Sequence, residues 1–416
     1  MNVCITPNKL CGMLTAPPSK SYAHRLIIAA CLSGKNIIIK SVGKSNDVIA
    51  TVTCMKLLGA DCTLSKGDFH VKSFLPVKSA ELDAFESGST LRFILPVCAA
   101  LGVKAKITGS KKLLSRPSFP LIESLNKVGA KITANEKEIT VDGKIDGDEI
   151  TVDGSISSQY VSGLLLAMSY LSGERTLNVI GKPVSENYID ITLDVLKSLG
   201  VKVCKTVGGY KIVGGTYSTK EIYFTEGDYS GAAFMLSSAA IDGEITVKGL
   251  KIPSKQGDSS IIDVLKKFGA NVSVKDNEIT VKSAPLKGIT LSCENIPDLA
   301  QIISVVAAFS KGETVIRGID RLKYKESDRL KAITDMLDVS GIENKTDGES
   351  LVIYGGNPKG GVFLSGNDHR TAMSAAILAA HANGKSQIIG AEAVSKSYPD
   401  FFEDFTLLGG KADVFI

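Results

Sequence analysis

Nearly continuous apolar segments of helical length recur along the chain, and each ends at a glycine that a short β-branched run follows. The first segment, Leu26–Leu32, is followed by Gly34 and then by Ile37–Ile39. Because a helix that is apolar on every side must be buried, we predict that these segments are core helices. The glycines that end them are Gly34, Gly102, Gly173, Gly243, Gly312 and Gly384, at intervals of 68 to 72 residues by subtraction.

Amphipathic helical segments form a second series that ends in glycine. They end at Gly59, Gly129, Gly200, Gly269, Gly341 and Gly409, again at intervals of 68 to 72 residues. Two independent series with one period of about 70 residues indicate an internal repeat. Each of the six units combines a buried helix, an amphipathic helix and short strands, which predicts an α/β fold. Six such units exceed one ordinary core, so we expect two globular domains of three units each, with a solenoid as the alternative.

Positive charge is concentrated where the predicted helices begin. The first example is Pro17-Pro18-Ser19-Lys20-Ser21, with Arg25 one turn further on. Cations at a helix start oppose the macrodipole at a cost of about 0.3–1 kcal/mol each, so their repetition favours bound anions. Taken singly, each of these cations could be an ordinary charge exposed to solvent. Three aspartates at helix starts, Asp47, Asp228 and Asp258, are interpreted as helix caps. The eight cations are Lys20, Arg25, Arg92, Arg116, Lys325, Arg329, Arg370 and Lys396.

Composition narrows the class of protein. A chain of 416 residues, 44% hydrophobic and 22% charged, is typical of a globular protein with two or three domains. A net charge of +4 without a long basic run argues against a nucleic-acid partner. No apolar run approaches the roughly 20 residues that span a bilayer, and no signal peptide is evident. We therefore expect a cytoplasmic protein with no membrane partner.

The spacing of cysteine and histidine does not favour a metal site. None of the eight cysteines forms a CxxC pair, and the four histidines show no HxxxH or HxxE spacing. We expect reduced, mostly buried thiols and no bound metal.

Two carboxylates stand among the cations and could transfer protons. Asp298 lies at the start of a predicted buried helix, and Glu326 lies between Lys325 and Arg329. A helix cap for Asp298 and a surface ion pair for Glu326 are the alternatives to catalysis, and the residues alone leave both open.

Ordered motifs along essentially the whole chain resemble the family of EPSP synthase (3-phosphoshikimate 1-carboxyvinyltransferase), an enolpyruvyl transferase. Several motifs are weak singly, but their order and spacing together are highly specific. They are Pro18-Ser19-Lys20-Ser21 with Arg25, Gly88-Ser89-Thr90-Leu91-Arg92, Arg116-Pro117, Asp153-Gly154-Ser155-Ile156-Ser157-Ser158-Gln159, Tyr188-Ile189-Asp190-Ile191-Thr192, Glu226-Gly227-Asp228, Ile296-Pro297-Asp298, Lys325-Glu326-Ser327-Asp328-Arg329, Asn367-Asp368-His369-Arg370 and Lys396-Ser397-Tyr398-Pro399-Asp400.

The resemblance implies an inside-out α/β fold with two similar domains, each of three βαβαββ units with buried parallel helices. The matching motifs place residues 18–226 in one domain, and residues 1–17 with 227–416 in the other. The chain would cross between the domains near residues 17 and 226, and these crossings would act as a hinge that closes around the ligands.

The resemblance also implies a reaction. The enolpyruvyl group of phosphoenolpyruvate would be transferred to the 5-hydroxyl of shikimate 3-phosphate, with release of phosphate, and no cofactor would be needed. We expect a monomer whose partners are these two small molecules.

The roles of individual residues follow from the matched motifs. Asp298 would be the base, and Glu326, with Lys20 as the alternative, would supply a proton. The residues expected to bind shikimate 3-phosphate are Lys20, Ser21, Arg25, Ser157, Ser158, Gln159, Ser185, Asp298 and Lys325. Those expected to bind phosphoenolpyruvate are Lys20, Gly88, Arg92, Arg116, Gln159, Arg329, Arg370 and Lys396.

Two other functions stay open at this point. The sibling family transfers enolpyruvyl to UDP-N-acetylglucosamine, but it typically has a cysteine in the loop before the arginine-proline pair, and residues 109–117 contain none. A non-catalytic repeat protein that binds anionic polymers is the other alternative. The chain also departs from common patterns of the resembled family at His24, Glu86 and Arg321.

Overall fold

The computed structural model describes residues 1–415 of the 416-residue chain. Its α-helices are α1 Lys20–Leu32, α2 Asn46–Leu57, α3 Gly88–Leu101, α4 Lys111–Leu114, α5 Phe119–Asn126, α6 Ser158–Tyr170, α7 Asn187–Ser198, α8 Tyr229–Asp242, α9 Ile261–Phe268, α10 Ala300–Ala308, α11 Arg329–Val339, α12 His369–His381 and α13 Phe401–Leu407. Short 3₁₀ helices cover Gly257–Ser260, Asp320–Tyr324 and Ala391–Lys396.

The strands are short and follow the helices closely. They are β1 Asn2–Thr6, β2 Leu10–Thr15, β3 Ile37–Lys40, β4 Ala60–Ser65, β5 Asp68–Phe74, β6 Ser79–Asp83, β7 Lys104–Thr108, β8 Ile132–Ala134, β9 Glu138–Val141, β10 Glu149–Asp153, β11 Gly173–Ile180, β12 Lys202–Thr206, β13 Gly209–Gly214, β14 Ile222–Phe224, β15 Gly243–Lys248, β16 Asn271–Lys275, β17 Glu278–Lys282, β18 Thr290–Ser292, β19 Glu313–Arg317, β20 Asn344–Thr346, β21 Ser350–Tyr354, β22 Val362–Leu364, β23 Ser386–Ile389 and β24 Lys411–Phe415.

The chain divides into two compact units. One, called the N-terminal unit, is Pro18–Thr225, and the other, called the C-terminal unit, is Met1–Pro17 together with the chain from Glu226 onward. The backbone therefore passes from one unit to the other at two places, after Pro17 and after Thr225.

Over residues 1–415 the strands form six four-stranded sheets, one for each predicted repeat. The sheet of β6 to β9 shows the common plan. Its first two strands, β6 and β7, are parallel and joined through α3, whereas β7 with β9 and β9 with β8 are antiparallel. The order along the chain is βαβαββ, as the resemblance implies.

In the N-terminal unit, the three sheets surround three buried helices. These helices are α1, α3 and α6, and nearly all their residues are inaccessible to solvent, as predicted for helices apolar on every side. The edge strand of the first sheet is β14, which is the last strand of this unit in sequence and pairs in parallel with β3.

In the C-terminal unit, the buried helices are α8, α10 and α12. The first residues of the chain complete two of its sheets. Strand β2 pairs in parallel with β15, and β1 lies between β23 and β24, antiparallel to both. Two sheets of this unit thus depend on pairing between the first residues of the chain and strands that are far away in sequence.

The glycines of both series have the backbone conformation that their positions require. All twelve have φ between +64° and +157°, a range that side-chain-bearing residues rarely adopt. Gly102 shows the reason, because it caps α3 in the left-handed conformation with φ +68°. The period of about 70 residues therefore reflects two glycine turns that recur in each of the six repeats.

The state of the cysteines agrees with the prediction. All eight are free thiols, and Cys31, Cys54, Cys62, Cys98 and Cys293 are buried. Within residues 1–415, no helix is long and apolar enough to cross a membrane.

Candidate active site

Lys20 is the first residue of α1 and forms an ion pair with Asp47. Its Nζ lies 2.8 Å from Oδ2 of Asp47, and the two side chains are 17% and 13% exposed. The interpretation of Asp47 as a helix cap is wrong, because Ser45 occupies the cap position of α2 and Asp47 lies within its first turn. A carboxylate there is stabilised by the helix dipole and orients the Lys20 ammonium.

Arg25 lies one turn after Ser21 and is almost completely buried. It donates from Nε to Thr192 Oγ1 at 2.7 Å, from Nη1 to the Ser21 carbonyl at 2.8 Å, and from Nη2 to Ser162 Oγ and the Tyr188 carbonyl. These bonds use four of its five N–H groups. No carboxylate of residues 1–415 pairs with it, and burial lowers its pKa to about 10.

Ser185 belongs to the same part of the unit as Arg25. Its carbonyl accepts from the Tyr188 amide at 3.0 Å, so its turn carries the carbonyl that binds Arg25. Ser185 is buried and has φ +50°, a conformation that is uncommon for a non-glycine residue.

Arg92 and Gln159 are joined directly. Arg92 Nη1 donates to Gln159 Oε1 at 2.6 Å, and Nη2 donates to the Pro117 carbonyl at 2.9 Å. Gln159 donates in turn to Ser89 Oγ at 3.0 Å. Ser157 caps α6 by accepting from the Gln159 amide, which places Ser157, the buried Ser158 and Gln159 at one helix start.

Gly88 and Arg116 are in close contact. A Cβ atom built on Gly88 would lie 2.6 Å from Arg116 Nη1 and 3.2 Å from its Cζ. Gly88 begins α3, so the guanidinium of Arg116 lies against a helix start whose amides also favour an anion. In the part of the chain that the structure describes, Arg116 Nε is buried without a hydrogen-bond partner. This guanidinium is therefore available to an anionic ligand.

Replacing Gly88 with alanine should displace the Arg116 guanidinium and leave the fold intact, because the end of a long side chain can move aside. If Arg116 binds phosphoenolpyruvate, we expect the KM for phosphoenolpyruvate to rise about tenfold, the loss of about 1.4 kcal/mol, with kcat little changed. Steady-state kinetics measure both. The matched control is Gly356→Ala, where an added Cβ would only touch Ile342 Cδ1 at 3.5 Å. Equal KM values in the two variants would contradict the prediction.

In the C-terminal unit, Arg329 is the centre of an ion-pair network, called here the Arg329 cluster. The side chain is 1% exposed, and it contacts Asp298 at 2.7 Å, Glu326 at 2.6 Å and Asp368 at 2.9 Å. Burial disfavours its charge, but the three carboxylates hold the pKa of Arg329 well above its ordinary value. The alternatives proposed for Asp298 and Glu326, a helix cap and a surface pair, do not describe these contacts.

Two further cations lie close to the Asp298 carboxylate. Oδ2 accepts from Arg370 Nη2 at 3.0 Å, and Oδ1 lies 3.6 Å from Lys325 Nζ. The loop before α10, the residue after the 3₁₀ helix Asp320–Tyr324, and the starts of α11 and α12 thus bring one carboxylate and three cations together. Lys396 Nζ donates to the Asn367 carbonyl, three residues before Arg370, at 2.5 Å.

Asp368 is a member of the cluster that the motifs did not identify. It is fully buried, accepts from Arg329 Nε and also caps α12 by accepting from the Arg370 amide at 2.9 Å. Although burial opposes its charge, Arg329 lowers the pKa of Asp368. Asp368 lies two residues before Arg370 in the motif Asn367-Asp368-His369-Arg370. The motif alone does not show that the carboxylate of Asp368 pairs with Arg329, which is far away in sequence.

Asp258 is a second buried carboxylate near the cluster. Asp228 caps α8 as predicted, but the same interpretation is wrong for Asp258, which lies inside the 3₁₀ helix Gly257–Ser260. Its Oδ2 accepts from Ser230 Oγ. Burial, together with the charge of Asp298, raises the pKa of Asp258 to about 6, while Arg370 opposes the rise.

The raised pKa of Asp258 should make stability depend on pH. The folded protein keeps a proton that the unfolded chain loses above pH 3.8, so this contribution is full below pH 3.8 and is lost as pH rises through about 6. Asp258→Asn cannot ionise and should gain about 2 kcal/mol over the parent between pH 4.5 and pH 8. Urea unfolding at both pH values measures this difference. The exposed Asp263→Asn serves as control, and equal shifts in both variants would refute the assignment.

No group of three or more histidine, cysteine or acidic side chains suited to a metal ion occurs among residues 1–415.

The fold belongs to a known class of transferase. The structure is similar to that of the enolpyruvyl transferase NikO from Streptomyces tendae, with a TM-score of 0.81 over 99% of this chain and 98% of NikO. The sequence identity is 17%, so this similarity shows the fold alone. EPSP synthase from Acinetobacter baumannii matches with a TM-score of 0.84 and 25% identity, over 99% of this chain and 100% of that one.

Sequence comparison defines the family. The sequence model of the family described as EPSP synthase (3-phosphoshikimate 1-carboxyvinyltransferase) matches residues 5–405 of this chain. A 3-phosphoshikimate 1-carboxyvinyltransferase of Clostridium kluyveri is 39% identical over 420 residues, covering 99% of this chain and 98% of that protein. The chain therefore belongs to the EPSP synthase family, which confirms the predicted family, fold class and enzyme class, a transferase.

Proposed function

We propose that this chain transfers the enolpyruvyl group of phosphoenolpyruvate to the 5-hydroxyl of shikimate 3-phosphate. The observation that carries the proposal is the family match over residues 5–405, a range that contains every candidate site residue. The chemistry of the site supports it, since the substrates are anions and the chain provides buried arginines beside hydroxyl and amide groups.

The proposed reaction has two steps. The 5-hydroxyl oxygen bonds to C2 of phosphoenolpyruvate while Asp298 takes the hydroxyl proton and a proton is added to the methylene carbon. The tetrahedral intermediate then releases phosphate and returns a methyl proton to the group that donated the methylene proton, which restores the double bond. Glu326 is the proposed donor of the methylene proton, with Lys20 as its rival. The pairing of Asp298 with Arg329 and Arg370 would hold it in one orientation as a base.

Binding roles are proposed from the contacts within each unit. The unused Nη1 hydrogen of Arg25 and the serines at the start of α6 suit the hydroxyl and phosphate groups of shikimate 3-phosphate, with Ser21, Ser185, Gln159 and Lys325 as further ligands. The guanidinium of Arg116 suits phosphoenolpyruvate. Its other proposed ligands are Lys20, Gly88, Arg92, Gln159, Arg329, Arg370 and Lys396.

A coupled phosphate-release assay tests the function. The purified protein is supplied with phosphoenolpyruvate and either shikimate 3-phosphate or UDP-N-acetylglucosamine, and we expect release only with shikimate 3-phosphate. Release only with the UDP-sugar would replace this proposal by the sibling reaction. Release with neither acceptor would favour a non-catalytic anion-binding protein.

We also propose that the enzyme acts without a cofactor, as a monomer in the cytoplasm. Gel filtration with light scattering tests the monomer, and full activity after dialysis against a chelator tests the absence of a metal requirement.

A further inference from the structure

Two polar contacts connect α1 with α2, one helical turn apart. The first is the pair of Lys20 with Asp47, and the second joins His24 Nδ1 to Thr51 Oγ1 at 2.7 Å. Residues four apart lie on the same helix face, so the second contact stands directly beneath the first. The first is charged and partly exposed, whereas His24 and Thr51 are both completely buried.

The buried contact continues to α3. Thr51 Oγ1 lies 2.7 Å from Thr90 Oγ1, which donates to Ser87 Oγ at 2.8 Å and towards the Asp47 carbonyl at 3.3 Å. Ser87 is the N-cap of α3 and accepts from the Thr90 amide. One line of hydrogen bonds therefore joins the starts of three helices, at Lys20, Asp47 and Ser87.

The donors along this line have one consistent arrangement. Because Thr90 donates onward, it accepts from Thr51, and Thr51 accepts from His24, so Nδ1 of His24 carries the hydrogen. Nε2 is then a bare acceptor, and within the described range, residues 1–415, no hydrogen-bond partner reaches it. Burial, with the charges of Lys20 and Arg25, lowers the pKa of His24 well below its usual value. The imidazole is therefore neutral at physiological pH.

We propose that His24 is a positioning residue, which holds α1 against α2 and α3 so that Lys20 is kept beside Asp47. A partly exposed ion pair by itself adds little to the packing of two helices, so the buried contact beneath it sets their spacing. The inference rests on the proposed function only in that Lys20 takes part in the reaction.

Two substitutions separate the hydrogen bond from the bulk of the side chain. His24→Leu removes the donor but keeps an apolar group beside Phe93, whose ring centroid lies 6.4 Å from that of the imidazole. His24→Asn keeps an amide N–H near the place of Nδ1. We expect kcat/KM for phosphoenolpyruvate to fall about tenfold in His24→Leu and to stay within about twofold of the parent in His24→Asn.

A double substitution tests the route of the effect. If His24 acts through Lys20, then adding His24→Leu to Lys20→Met should change the residual rate by less than about twofold. A repeated tenfold loss in that background would overturn the proposal. So would parental activity in His24→Leu, or equal losses in the leucine and asparagine variants.

Crystal structures of the two single variants give a readout that does not depend on activity. The distance from Lys20 Nζ to Asp47 Oδ2, 2.8 Å in the parent, should exceed salt-bridge distance in His24→Leu and stay unchanged in His24→Asn. An unchanged distance in His24→Leu would show the inference to be wrong. Failure of the parent to release phosphate with shikimate 3-phosphate would instead defeat the proposed function, and the crystallographic result would still decide the role of His24.

Discussion

Replacing Asp298 with asparagine should reduce kcat by about 100- to 10,000-fold, the usual contribution of a positioned general base. Asparagine keeps the size of the side chain, and its single amide oxygen can still accept a hydrogen bond from either Arg329 or Arg370, but it cannot take the hydroxyl proton. The KM for phosphoenolpyruvate should not rise, because the substitution removes a negative charge that lies among three cations. The two parameters are obtained from phosphate release under steady-state conditions.

The matched control for Asp298→Asn is Asp328→Asn. Asp328 is an exposed cap of α11 in the same region, and asparagine caps helices as well as aspartate does. Parental turnover in this control would show that loss of a nearby carboxylate alone is harmless. If Asp298→Asn kept more than a tenth of the parental kcat, its role as the base would have to be abandoned.

Replacing Arg329 with methionine should destabilise the protein by about 3–5 kcal/mol at neutral pH. The substitution removes the cation that Asp298, Glu326 and Asp368 share. It leaves the fully buried carboxylate of Asp368 without a cation, and an uncompensated buried charge carries a penalty of that size. The penalty should shrink as pH falls, because carboxylates without a cation become easier to protonate. Urea unfolding at pH 7 and pH 5 measures both effects.

Lys331→Met provides the comparison for Arg329→Met on the same helix. Its ammonium pairs with Asp335 at 2.8 Å on the surface, where such pairs contribute about 0–1 kcal/mol. Similar losses in both variants, or a penalty for Arg329→Met that does not depend on pH, would contradict the view that Arg329 neutralises the buried carboxylate of Asp368.

The repeat could be predicted in full from the sequence because its signals are local. An apolar helix can be recognised without knowing its neighbours, and a glycine with positive φ marks a turn wherever it occurs. The βαβαββ plan and the family followed from motifs in a fixed order. In contrast, no local pattern shows that β14 joins β3, or that β1 inserts between β23 and β24, because those pairings join distant parts of the chain.

For the candidate site as well, sequence predicted some features and only the structure showed the others. Sequence placed cations at the helix starts and suggested that bound anions compensate them. In the Arg329 cluster the compensation comes instead from the chain's own carboxylates, whereas Arg25 and Arg116 pair with no carboxylate among residues 1–415. A helix cap and an ion-pair partner look alike in sequence, as Asp47 shows.

The sequence by itself therefore determined the repeat, the fold class, the family and the residue types at the site, since each depends on periodicity, backbone conformation or motif order. Only the tertiary structure decided which charges are paired, which carboxylates are buried, and that His24 lies beneath Lys20. The reason is physical: burial and the partners of a charge depend on elements far apart in sequence, and these set its pKa and its contribution to stability.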